Sequence, residues 1–80
     1  MWNYRVFRYE QDEENKLYIS ECYYDDKKEL KGYVSPLDIF NKGLWDENLD
    51  GLREVLHMLL QATTRPIIII SEDESIREET

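Results

Sequence analysis

The chain has 80 residues, 41% hydrophobic and 35% charged, with a formal net charge of −8. Such a length makes one small domain, which buries only about 60% of its unfolded surface, so each large apolar side chain counts. The acidic balance argues against nucleic acid and anionic membranes as partners, since both are held by basic footprints. The longest apolar run, Ile67–Ile70, is far short of the roughly 20 residues that cross a bilayer.

"WNYRVFRYE" is rich in aromatic and β-branched residues and predicts a first strand, with Tyr4 and Val6 on one face and Arg5, Phe7 and Tyr9 on the other. "QDEEN" breaks it. "KLYISECYY" predicts a second strand, with Leu17, Ile19, Glu21 and Tyr23 opposite Tyr18, Ser20, Cys22 and Tyr24. "DDKKE" supplies the next turn and "LKGYVS" a shorter third strand. Two short connections in succession predict an antiparallel three-stranded meander. The apolar residues of "PLDIFNKGLW" (Leu37, Ile39, Phe40, Leu44 and Trp45) are expected to tuck under one end of the sheet.

Asn48 is a good N-cap and Asp50 stands in the first turn of the helix that follows, where the helix dipole favours a negative charge. Leu49, Leu52, Leu56, Leu59, Leu60 and Thr63 fall on one stripe, which is expected to lie on the sheet. Gly51 inside the helix implies close packing. Arg65 precedes Pro66 and is pushed out of helical space, which ends the helix nearby. "IIII" then predicts a last strand, parallel to the first and at the sheet edge, in the order 3-2-1-4. The expected fold is α+β: an antiparallel three-stranded meander, one amphipathic helix and a final strand pairing parallel to strand one (βββαβ, two layers). Residues 1–70 form the domain and residues 71–80 an acidic tail. In the tail, "SEDE" matches a capping box, so the segment is either a short helix or a frayed, solvated end.

The order of elements, with "SECYYDD" in the second strand and "LDGLREVLHMLLQATTRP" in the helix, resembles a group of short, largely uncharacterised bacterial proteins. That likeness is one of core pattern and implies no activity. The same order is similar to the HicB-like antitoxin domain, which has three strands, a helix and a fourth strand. This second resemblance implies toxin neutralisation through a protein partner. "NKGLWDEN" replaces the glycine-rich segment usual before that family's helix, and Gly51 stands where the family tends to have an acid.

No residue pattern spells out a reaction. His57, the one histidine, flanks the leucine stripe without a nucleophile or orienting group beside it in sequence. Cys22 lies within a strand with no basic neighbour in sequence, which reads as an apolar filler; a lone cysteine also fits a reducing, cytoplasmic setting. The start shows no basic-then-apolar leader. "QDEENK" and "SEDESIREE" lack the alternating ligands of a calcium loop, and no phosphate loop or paired Cys/His spacing occurs. Neither enzyme activity, metal nor cofactor is expected. One helix cannot cover both faces of "IIII", so a covering partner is expected: a second copy (homodimer) or another protein, at Trp2, Tyr4, Met58, Ile67, Ile68, Ile69 and Ile70. The alternative is an acidic inhibitor or nucleic-acid mimic that blocks a basic protein groove, with Asp12, Glu13, Asp25 and Asp26 as its charged surface.

Overall fold

The alternating stretches become three antiparallel strands, β1 (Trp2–Tyr9), β2 (Tyr18–Tyr24) and β3 (Leu30–Tyr33). The computed structural model describes residues 1–40 and 43–79. One helix, α1 (Leu49–Ala62), and two further strands, β4 (Ile68–Ile70) and β5 (Ile76–Glu78), complete the chain. The strands form one mixed sheet in the order β3-β2-β1-β4-β5. β4 runs parallel to β1, as the order β3-β2-β1-β4 required, with Phe7 opposite Ile68 and Tyr9 opposite Ile70.

The fifth strand corrects the expected architecture. β5 pairs antiparallel with β4, Ile70 opposite Ile76 and Ile68 opposite Glu78, so β4 is an interior strand rather than an edge. "SEDES" is therefore a hairpin turn and not a helix start: the Ser71 amide bonds the Ser75 carbonyl, and Asp73 Oδ1 accepts from both the amide and the hydroxyl of Ser75. The acids that follow are tied to β1. Glu78 pairs with Arg5 at 3.1 Å and Glu79 with Arg8 at 3.6 Å.

Register sorts the side chains into two faces. Phe7, Cys22, Ile68 and Ile70 form the most buried cluster, with Tyr9, Tyr24, Leu30, Tyr33 and Ile76 packed around it. All of these lie on one face. That face is filled by the sheet itself, because β3 and β5, the two ends of the strand order, approach within 8 Å at Cα without hydrogen-bonding. The sheet curls into an open barrel. A register shift at Tyr23/Tyr24 marks a bulge in β2, a feature that increases local bend and twist.

The helix sits on the outer face. It packs along β1, and none of Leu52, Val55 and Leu59 joins the Phe7 cluster, whereas Val6 and Ile69 are buried on the opposite side of the sheet. Asn48 caps it as expected, its Oδ1 accepting from the Gly51 amide at 2.7 Å. The buried side of α1 differs from the expected stripe. Leu52, Val55, Leu59 and Ala62 face inward, while Leu49, Leu56, Leu60 and Thr63 are exposed. At about 100° per residue this is a rotation of roughly 60°. Small residues decide it: Ala62 is fully buried, and Gly51 is covered by the Asp46 carboxylate, where a β-carbon would collide.

Candidate protein-binding surface

The rotation of α1 leaves a flank of large apolar side chains in water. Leu49, Leu56 and Leu60 are 67, 50 and 65% exposed. They lie seven and then four residues apart, which stacks them on one side of a helix. The segment leading into α1 also exposes apolar side chains. Leu37, Leu44 and Trp45 are exposed and only Ile39 of that segment is half-buried, contrary to the expected tuck under the sheet. Among the described residues of the segment Pro36 alone is buried, and Gly43 turns the chain at φ 89°, its amide bonded to the Phe40 carbonyl. Asn41 and Lys42, within the same stretch, lie outside the described residues.

The residues singled out from sequence separate into different places. Ile68, Ile69 and Ile70 are buried, Ile68 and Ile70 inside the barrel and Ile69 on the helix side, so they present no free edge. Ile67 is half-buried, and its carbonyl accepts from the Glu79 amide at 2.7 Å. Trp2 and Tyr4 share the outer face with Val6, not the face turned away from the helix; their rings meet edge-to-face at 5.3 Å, and Trp2 remains exposed. Met58 is exposed beside Asp50, Arg53, Glu54 and His57 in a shallow depression. On the helical wheel Met58 lies almost opposite Leu49 and Leu60.

The acids of the turns are engaged in local structure. Asp12 accepts from the amides of Glu14 and Lys16. Asp25 Oδ1 accepts from the amides of Lys27 and Glu29, both at 2.9 Å. The Glu29 amide is the main reason the Asp25 carboxyl sits below its ordinary value, with the Lys27 amide and the nearby Lys31 ammonium acting in the same direction. Glu13 and Asp26 are exposed neighbours of these turn-builders.

Groups with chemical potential stand apart. Cys22 is fully buried inside the barrel, and burial pushes its thiol upward. His57 is on the solvent side of α1. Among the described residues the one buried charge is Arg5, 3% exposed, which strand alternation marks only as an ordinary strand residue. It donates to the Tyr24 hydroxyl (2.8 Å), the Pro66 carbonyl (2.6 Å) and Glu78 (3.1 Å), while its Nε has no partner. The Tyr24 hydroxyl in turn donates a hydrogen bond to Asn3 Oδ1 at 2.8 Å. The arrangement joins β1, β2, β5 and the approach to β4; it is a structural tie. Its sequence signal was the spacing of Arg5 and Arg8 in β1 against the terminal Glu78 and Glu79.

No protein-family model matches this chain, and no curated protein and no solved structure gives a significant match.

Proposed function

We propose that the chain is a non-enzymatic protein-interaction domain working through the leucine flank of α1, against either a second copy of itself or a helix of a protein partner. One observation carries this reading: Leu49, Leu56 and Leu60 are each half or more exposed in a protein too small to leave apolar surface idle. Their spacing forms a ridge that fits the groove of another helix. Trp45, exposed in the segment just before α1, is an aromatic of the kind enriched at interface centres. In a HicB-like, antitoxin-type role, that partner would be a toxin. The reading as an acidic mimic has less behind it, because Asp12 and Asp25 turn their carboxylates onto their own backbone amides.

The test is sedimentation equilibrium at tens of micromolar, comparing the wild type with the double variant Leu56→Lys/Leu60→Lys. The expected result is a dimer for the wild type and a monomer for the variant, with similar thermal melting, since exposed positions change stability by only about 0.5 kcal/mol. A monomeric wild type overturns the self-association form. A protein partner captured equally by wild type and variant overturns the helix flank as the binding surface.

A further inference from the structure

The open barrel has a mouth beside the β4–β5 turn. A cavity of about 350 Å³ lies there, walled by Tyr9, Tyr33 and Ile70 and rimmed by Gln11, Glu72 and Glu74. Sites for small ligands start at about this volume. The aromatic walls are held in place from behind. Tyr18 braces Tyr9 edge-to-face at 5.8 Å, and the Tyr33 ring leans on Phe7 at 5.6 Å, so little freedom is lost when something packs on them.

The rim carboxylates differ from their neighbours. Glu78 and Glu79 are paired with arginines of β1, and Glu10 with Arg77, whereas Glu72 and Glu74 are exposed and in no ion pair among the described residues. Glu74 also holds an unusual conformation. It follows Glu72 and Asp73 as the last residue of a three-residue hairpin loop and has φ 70°, in the left-handed region where glycine or asparagine is the usual choice. Lys28 holds the same left-handed position in the β2–β3 turn, so the conformation belongs to the hairpin, and what sets Glu74 apart is its place on the cavity rim. Its charge reaches the aromatic wall: the Tyr33 hydroxyl is pushed up first by burial and then by Glu74 and Tyr9.

We propose that the barrel mouth binds an organic cation, an arginine guanidinium or a lysine ammonium, lodged between Glu72 and Glu74 with its flat face or alkyl stem on Tyr9 and Tyr33. Tyrosine faces attract cations through the ring quadrupole, and carboxylates supply charge-assisted acceptors at the rim. The cavity selects against anions by its charge and against purely apolar ligands by its open, polar rim. It lies inside the curled sheet, on the face opposite α1, and is independent of the leucine flank.

The experiment is an amide-resonance titration of the intact chain with N-acetyl-arginine amide, beside N-acetyl-citrulline amide as an uncharged isostere. The expected result is saturable shifts at Tyr9, Tyr33 and the Glu72–Glu74 turn with the arginine derivative and none with citrulline. Glu74→Asn tolerates the left-handed backbone and should fold at least as well as the wild type. That variant and Glu72→Gln should each weaken binding about tenfold. Asp26→Asn, in the β2–β3 turn at the opposite end of those strands, should leave binding unchanged. A second arm uses an extended five-residue peptide with a central arginine: tighter binding than the blocked amino acid marks a protein segment as the source, and equal binding marks a free small cation. Equal shifts from citrulline amide, or a Glu74→Asn/Glu72→Gln variant that melts normally and binds as well as wild type, would overturn the proposal.

Discussion

Replacing Arg5 tests whether the last strand is part of the barrel. Arg5→Met keeps much of the volume and removes the charge and the planar fork of donors. Three acceptors lose their donor: the Pro66 carbonyl, the Tyr24 hydroxyl and Glu78. The bond to the carbonyl, at 2.6 Å, is the largest loss, because a hydrogen bond from a charged donor contributes about 1.5–3 kcal/mol. Tyr24 keeps its bond to Asn3, and Glu78 is 49% exposed and can rehydrate, so each adds less than about 1 kcal/mol. Apolar packing by methionine and relief of the unpartnered Nε offset part of this. The net expectation is a loss of about 2 kcal/mol, a large share of a small domain's stability. With a urea slope of about 1 kcal/mol/M, the unfolding midpoint should fall by about 2 M, and the melting temperature by roughly 8–16 °C. Glu78→Gln should cost about 1 kcal/mol in the wild type, where it leaves a buried guanidinium facing a neutral amide, and close to nothing in the Arg5→Met background. Urea unfolding of the four proteins gives the coupling directly. Arg5→Met as stable as wild type, or no coupling between the two sites, would refute the tie between β5 and β1.

The Asp25 carboxyl is held below its ordinary value, so its contribution is present at neutral pH, above the unfolded value of about 3.9, and disappears as pH falls through the lower folded value. Asp25→Ala should therefore be less stable than wild type at pH 7, with the gap closing in acid; a gap that persists unchanged below pH 3 contradicts the assignment. Cys22 is fully buried with a thiol pushed up by burial, so a thiol reagent should modify it only as fast as the chain unfolds, and at once in denaturant. Complete modification of the native protein within the mixing time would remove Cys22 from the core.

The first three strands, the capped helix and the parallel return of the isoleucines were legible because each rests on a local rule: alternation, an asparagine at the cap, a proline after the helix. What the sequence concealed depended on long-range geometry. β5 was hidden because "SEDES" has no glycine; its left-handed position is filled by Glu74, so the turn reads equally as a capping box or a solvated tail. The helix face was not legible because leucines outnumber the residues that touch the sheet, and Val55 and Ala62 win the contact by allowing closer approach. Of the expected interface residues, Trp2 and Met58 are exposed and the isoleucines of β4 are not. The barrel-mouth cavity joins Tyr9, Tyr33 and Glu74 from three separate strands and turns, and no spacing in the sequence announces it.

The curl of the sheet also explains why the leucine flank exists. A flat sheet covers a broad stripe of a helix. The outer side of an open barrel is convex, so a helix laid on it touches along a narrow line, here Leu52, Val55, Leu59 and Ala62. The same curl that hides Ile68 and Ile70 inside the barrel withdraws the sheet from Leu49, Leu56 and Leu60. The second face of the isoleucine strand, which on a four-stranded sheet needs a partner, is covered from within by Tyr9, Tyr33 and Ile76. The unmet demand for cover has moved from the sheet to the helix. A partner that satisfies it must supply an apolar groove, such as the side of a second helix, and an edge strand would not fit there.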